Sequence, residues 1–245
     1  MLKGSIQLKG DKSISHRILI FASLAKGTSQ IYNLSECEDV QMTIKILKKC
    51  NIKIRKENNT FIIRGNKLSS KFNKFYCGNS GSTARFMIGL LPFNGINGML
   101  YGDKSLSKRP MKRVTNPLKN MGLKIIDDND NLPIVFEASS VKKINYDLEI
   151  PSAQIKTAMI FAALTSKEKN YINDSFKTRD HTEKILQYLG HKGAYSQFNY
   201  TGFNYDVPGD ISNASFIISA AILIPGSNIT IKNILFNSTR IGYIN

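Results

Sequence analysis

Residues 10–27 read GDKSISHRILIFASLAKG: a glycine and an aspartate, then Lys12, Ser13, Ser15 and Arg17 close together, then an apolar run. The pattern predicts a helix with a polar, cationic first turn and a buried body. The first turn of a helix leaves backbone N–H groups unpaired and carries partial positive charge, so anions settle there readily. Lys12 and Arg17 add formal charge, and the hydroxyls of Ser13 and Ser15 are placed to donate to an anion's oxygens. A serine here also serves as a plain N-cap.

The pattern recurs in GNSGSTARFMIGLLPFNG from Gly78, PSAQIKTAMIFAALTS from Pro151 and PGDISNASFIISAAILIPG from Pro208. Recurrence about every seventy residues marks an internal repeat with loops of varying length. A second family lies between these segments: EDVQMTIKILKKCNIKI from Glu38, RPMKRVTNPLKNMGLKI from Arg109 and RDHTEKILQYLGHKGA from Arg179. Its apolar positions recur at three and four, which gives an amphipathic helix with one buried stripe. Asn51, Gly122 and Gly190 follow as left-handed stops. Short β-like runs, FIIRG at 61–65, PIVFEA at 133–138 and YDLEI at 146–150, fill the gaps. The unit is strand, buried helix, strand, amphipathic helix and further strands, an α/β architecture with the most apolar helices inside and sheets packed round them. Scaffold alone explains the hydrophobic halves. It does not explain why the helix mouths carry Lys12, Arg17, Ser80, Ser82, Arg85, Ser152 and Gln154.

At 245 residues and 42% hydrophobic content the chain buries a sizeable core. No apolar run approaches the ~18 residues needed to span a bilayer, and MLKGSIQLKG lacks a signal-peptide core, so the cytoplasm is the expected location. Cys37, Cys50 and Cys77 form no C-x-x-C pair and read as reduced, buried thiols. His16, His181 and His191 fall into no ligand spacing, so no metal is expected. The net charge of +16 is scattered, which favours solvated surface over a nucleic-acid site. A nucleic-acid binder needs clustered cations with exposed aromatics, whereas Phe86, Phe93, Phe161 and Phe216 lie in apolar runs.

GNSGSTAR, residues 78–85, is a glycine-rich loop whose amides can approach an anion, although it fits neither the Walker pattern nor G-x-G-x-x-G. A tight structural turn is the competing reading. In GDKSLSKRPM, Arg109 precedes Pro110, a residue suited to the first position of a helix. Arginine suits a bidentate grip on carboxylate or phosphate.

Taken in order, GDKSISHR, GNSGSTAR, the Arg109-Pro-Met segment, PSAQIKTA, TRDHTEK and PGDISNASF resemble EPSP synthase, the enolpyruvyl transferase family of the shikimate pathway. Ala153 and the Arg179-Asp180-His181 segment resemble its shorter bacterial branch. The resemblance implies a reaction between shikimate 3-phosphate and phosphoenolpyruvate, with no cofactor, nucleic acid or membrane, by a protein that is a monomer when full length. It places Lys12 against both substrates and Ser13 and Arg17 on the shikimate phosphate. Asn79, Gly81 and Arg109 would line the phosphoenolpyruvate site. Ser152, Ala153, Gln154 and Arg179 would hold the phosphorylated acid, with Gln154 near both ligands. Lys12, Arg17, Arg109 and Arg179 are expected to face one shared cavity.

The implied fold has two domains built of βαβαββ repeats. Residues 11–207 would form one complete domain of three repeats, and residues 1–10 with 208–245 an incomplete part of the other. The family pattern continues beyond NSTRIGYIN, whose last residue is Asn245. The resemblance places the family's proton-transfer aspartate, a Lys-Glu pair and further arginines past Asn245. The chain is therefore expected to be incomplete and inactive alone, with no catalytic base of its own; Asp210 reads as a helix cap. Two other readings stand beside this one. A UDP-sugar enolpyruvyl transferase shares the fold but has Lys-Asn where this chain has Lys12-Ser13, and a non-enzymatic anion or nucleic-acid binding module would use the basic surface.

Overall fold

A computed structural model describes residues 1–71, 73–127 and 129–242. Asn245, the point past which the family's base is expected, lies outside the described residues. In chain order the elements are β1 (Lys3–Gln7), α1 (Lys12–Leu24), β2 (Gly27–Tyr32), α2 (Glu38–Lys49), β3 (Lys53–Glu57), β4 (Thr60–Gly65), β5 (Lys74–Tyr76) and α3 (Gly81–Leu90). There follow β6 (Gly98–Tyr101), α4 (Lys112–Asn120), β7 (Lys124–Ile125), β8 (Ile134–Glu137), β9 (Asn145–Asp147) and α5 (Ala153–Ala163). The last are β10 (Tyr171–Asn173), α6 (His181–Tyr188), β11 (Asn204–Asp206), α7 (Ile211–Leu223) and β12 (Asn228–Lys232).

The helices α1, α3 and α5 are buried over most of their length on every side, and they form the interior. A helix hydrophobic all round has no face to give to water. Each contributes one phenylalanine to a shared aromatic contact: Phe161 meets Phe21 edge-on at 5.4 Å and Phe86 at 5.8 Å. Such edge-to-face pairs add to the area they bury. Where α3 crosses α5, a Cβ on Gly89 would sit 2.3 Å from the Ala158 carbonyl oxygen, so the two backbones approach only because Gly89 has none.

The amphipathic helices α2, α4 and α6 bury one stripe each, through Val40, Ile44 and Leu47, through Val114 and Leu118, and through Ile185 and Leu186. Helix α2 has Glu38 and Asp39 in its first turn and Lys48 and Lys49 in its last, matching both ends of its dipole. All three expected stops are left-handed: Asn51 at φ 66°, Gly122 at φ 103° and Gly190 at φ 89°.

Two four-stranded sheets share one topology, β11-β2-β4-β3 and β5-β6-β8-β7. In each the first pair is parallel and the rest are antiparallel. The middle repeat runs in full from β5 through α3, β6, α4 and β7 to β8. The third repeat pairs β9 with β10 in parallel and then sends β11 to the edge of the first repeat's sheet, 174 residues away at Asn204 and Gln30. That pairing closes the three repeats on one another.

Several expectations change. Strand β9 stops at Asp147, so Leu148, Glu149 and Ile150 of YDLEI lie outside it. Pro151 supplies no N–H to a ladder, and the chain must turn there into the α5 cap. Helix α4 begins at Lys112, with Met111 as its N-cap, so Pro110 does not open it. Arg109 is extended, at φ −85° and ψ 133°, as a residue before proline prefers. Cys50 and Cys77 are buried, and burial pushes both thiols up to about 12, but Cys37 is exposed at the start of α2. Helix α7 resembles α1 in sequence yet buries only Ile211 and Ala214, and Phe216 is 77% exposed. Its packing neighbour is the β1–β12 pair, which lies apart from the other sheets. Among the described residues no helix is long and apolar enough to cross a membrane.

Candidate functional site

Helix α1 is capped by Asp11, whose Oδ1 accepts from the Ile14 amide at 2.8 Å. One turn further in, Arg17 is almost wholly buried, and its guanidinium is fixed on every side. Nε donates to Thr182 Oγ1 at 2.8 Å, Nη2 to Thr157 Oγ1 at 2.9 Å and Nη1 to the Ser13 carbonyl at 2.8 Å. The group also lies over the Phe86 ring, 4.7 Å from its centroid. Among the described residues no carboxylate pairs with it directly. Burial lowers it to about 10, partly offset by Glu183 and Asp11, so it remains charged at neutral pH. A preorganised cation without its own counter-ion is a receptor for an anion.

The start of α5 meets this group from the far side. Ser152 caps that helix, accepting from the Ile155 amide at 3.4 Å, and Ala153 and Gln154 follow. Ser13, Arg17, Ser152, Ala153, Gln154 and Arg179 all line one cavity of about 440 Å³. Arg179 stands before α6; burial lowers its pKa, and Arg240 lowers it further.

Asn79, Gly81 and Arg109 form a second cluster beside that cavity. Arg109 Nη2 donates to Asn79 Oδ1, and Asn79 Nδ2 donates to Asp103 Oδ2 at 2.9 Å. A Cβ on Gly81 would lie 2.6 Å from Arg85 Nη1 and 3.5 Å from Arg109 Nη1, so glycine there leaves room for both guanidinium groups. Arg85 is held below the ordinary arginine value by burial and by repulsion from Arg109 and Arg113. Gln154 links the cavity to the residues next to the second cluster: its Oε1 accepts from Arg85 Nη1 at 3.1 Å, and its Nε2 donates to Ser82 Oγ at 3.0 Å.

Lys12 turns aside, toward α2. Its ammonium pairs with Asp39 at 2.9 Å, and that hydrogen bond raises its pKa. Of the four cations expected to face one cavity, Arg17 and Arg179 line it, while Lys12 and Arg109 do not. Ser15 is also withdrawn from a binding role. It is fully buried, and its Oγ accepts from the Ser35 amide at 3.0 Å.

A family model described as EPSP synthase (3-phosphoshikimate 1-carboxyvinyltransferase) matches residues 1–245. This chain belongs to the EPSP synthase family. It is 40% identical over 256 residues to a 3-phosphoshikimate 1-carboxyvinyltransferase of Oceanobacillus iheyensis, covering 99% of this chain and 60% of that relative. It is 40% identical over 257 residues to one from Staphylococcus epidermidis, with 99% and 59% covered. An EPSP synthase structure from Acinetobacter baumannii superposes with a TM-score of 0.90 at 32% identity, over 99% of this chain and 58% of that one. The chain thus spans about three fifths of the length of the curated relatives it matches.

For this EPSP synthase family member the cavity has walls beyond the residues nominated to bind substrate: Ser82, Phe176, Thr178, His181 and Thr239. Ser82, Thr178 and His181 sit inside segments already singled out. Thr239 carried no local signal, because a threonine in NSTR looks like any loop residue. His181 is lowered to about 3 by burial, with Arg17 and Arg240 adding to it, so it is neutral at physiological pH.

Proposed function

We propose that this chain supplies the shikimate 3-phosphate site, and part of the phosphoenolpyruvate site, of an enzyme that transfers the enolpyruvyl group to the 5-hydroxyl of shikimate 3-phosphate, giving EPSP and phosphate. The observation that carries the reading is convergence. Ser13 and Arg17 from α1, Ser152, Ala153 and Gln154 from α5, and Arg179 before α6 line one cavity although they lie far apart in sequence. Two guanidinium groups and the Ser13 hydroxyl there suit a phosphate dianion.

Arg17 and Arg179, with Ser13, would hold that phosphate, and Ser152 and Ala153 the ring that carries it. Asn79, Gly81 and Arg109 would receive the carboxylate or phosphate of the second substrate. Gln154 lines the cavity and reaches toward the second cluster through Arg85 and Ser82, and would fix the separation of the two, which puts the attacking hydroxyl against the enol carbon. In the reaction the 5-hydroxyl gives up its proton as its oxygen bonds to that carbon, and a proton joins the methylene. The tetrahedral intermediate then expels phosphate as a proton leaves the methyl group. Fixed cations that stabilise the departing phosphate act most strongly in a site closed to water. Lys12 would contribute once its ammonium leaves Asp39.

Residues 11–207 would form one domain, and residues 1–10 with 208–245 a part of the other. The separate β1–β12 pair and the crossing at Gly10 and Gly209 support this division. The free, unpaired cysteines support a reducing compartment, the cytoplasm. We assign no nucleic-acid partner and expect a monomer when full length.

Titration calorimetry of the 245-residue chain with shikimate 3-phosphate tests the reading. Saturable binding, with shikimate itself far weaker, is the expected result. A chain that ignores shikimate 3-phosphate but binds a UDP-sugar belongs to the sister reaction, and one that binds only nucleic acid, with steep salt dependence, is not a transferase.

A further inference from the structure

Arg240 follows β12, and only 4% of its side chain is exposed. Its Nη1 donates to Asp11 Oδ2, and its Nη2 donates to Asp210 Oδ1 at 2.8 Å and to Ser212 Oγ at 2.7 Å. Each carboxylate gives its other oxygen to the start of α1. Asp11 Oδ1 accepts from the Ile14 amide at 2.8 Å, and Asp210 Oδ2 accepts from the Lys12 amide at 3.3 Å. The first turn of α1 is therefore capped by two carboxylates from opposite ends of the chain, joined by one arginine.

The arrangement contains a conflict. Carboxylates stabilise a helix start, yet they repel an anion bound at the same place. Asp11 is fully buried and Asp210 nearly so, where solvent screens their charge poorly. Their fields reach the cations nominated to hold the substrate. Arg17 responds to Asp11 and Arg240, Arg179 to Arg240, Asp11 and Asp210, and Lys12 to Asp210. The same segment touches the cavity itself. Thr239 lines it, and Asn237 donates to Asp180 at 2.7 Å, beside Arg179.

We propose that Arg240 is a positioning residue for the shikimate 3-phosphate site: by bridging Asp11 and Asp210 it lets two carboxylates cap α1 with much of their repulsion of the substrate phosphate offset. The inference rests on the function proposed above. It assigns Arg240 no contact with the substrate; the residue acts through the two aspartates.

The sign of a charge effect tests this, by calorimetry of the 245-residue chain with shikimate 3-phosphate at one low salt concentration. Arg240→Gln uncovers both carboxylates and is expected to weaken binding about tenfold or more. Asp210→Asn keeps an oxygen for Arg240 and for the Ser212 amide, which donates to Asp210 Oδ1 at 2.9 Å, gives up only the long 3.3 Å bond from the Lys12 amide, removes a negative charge, and is expected to tighten binding severalfold. The double variant returns toward the unaltered chain, and Arg240→Lys retains most of the affinity. A purely structural role makes every variant weaker. The proposal is overturned if Asp210→Asn weakens binding, or if Arg240→Gln binds as the unaltered chain does. Should Arg240→Gln fail to fold, the direction of the Asp210→Asn effect decides alone. If the unaltered chain binds no shikimate 3-phosphate, the functional reading falls first and this one falls with it.

Discussion

The Lys156 ammonium and the Asp174 carboxylate lie 2.7 Å apart, with 3% and 10% of their side chains exposed. Asp174 also builds the loop that follows it. Oδ2 accepts from the Thr178 amide at 2.9 Å and hydroxyl at 2.6 Å, and Oδ1 accepts from the Phe176 amide at 3.1 Å. Phe176 and Thr178 are cavity walls, and Arg179 comes next. A second carboxylate, Glu183 on α6, takes the same ammonium at 2.5 Å. Removing the lysine therefore leaves the nearly buried Asp174 and the half-buried Glu183 without their shared cation. Lys156→Ala is expected to destabilise the chain by about 3–5 kcal/mol, as breaking a buried pair does. Urea unfolding checks this, and an unchanged midpoint contradicts it.

Acid should weaken the fold in two stages. Burial lowers the histidines His16 and His181 to about 3. In the unfolded chain they return to about 6.5. A folded pKa below the unfolded one gives stability that is complete above the unfolded value and drains away as pH falls. Each histidine thus costs up to about 1.4 kcal/mol per pH unit below 6.5. Asp174 joins later. Burial alone would raise its carboxyl, but hydrogen bonds from Lys156 and Thr178 outweigh that and hold it below the ordinary value. Its contribution is lost only as pH falls below about 4. Urea midpoints measured from about pH 7 to 5 should decline steadily, and a flat profile would show that the histidines are not held neutral.

The repeat was legible because its signal is local. Helix mouths, amphipathic stripes and the stops at Asn51, Gly122 and Gly190 each depend on residues within one turn of one another. The position of β11 was not legible, since pairing Asn204 with Gln30 is set by how three repeats close on themselves. Burial of α7 was not legible for a related reason: its sequence matches α1, but what covers a helix is decided by its neighbours. At the site, Arg17 and Gln154 were readable as odd residues on helix mouths. Arg240 was not, because its meaning comes from Asp11 and Asp210, 229 and 30 residues away.

Gly89→Ala is expected to be among the more damaging single methyl additions. The new Cβ would meet the Ala158 carbonyl oxygen at 2.3 Å and the Ala158 Cα at 2.8 Å, and both are backbone atoms of a buried helix. A flexible side chain could step aside; a helix backbone moves only by shifting α5 against α3. Overpacking of this kind costs about 1–3 kcal/mol or more. Because α5 carries Gln154 and is capped by Ser152, the same change should also weaken shikimate 3-phosphate binding. Unfolding and calorimetry on one variant read both effects, and a Gly89→Ala chain as stable as the parent would show that the helices have room.

Arg17→Lys tests whether charge alone suffices in the cavity. Lysine keeps the positive charge but has no planar fork, so it cannot reach Thr182, Thr157 and the Ser13 carbonyl together while stacking on Phe86. Each hydroxyl left without its donor costs about 1 kcal/mol. Shikimate 3-phosphate affinity is expected to fall at least about tenfold, a loss of roughly 1.4 kcal/mol or more. Asn79→Ala, in the other cluster, should leave that affinity nearly unchanged. If the lysine variant binds as the parent does, a point charge is enough and the fixed guanidinium geometry is not what holds the phosphate. If Asn79→Ala weakens binding equally, the two clusters do not act as separate subsites joined by Gln154.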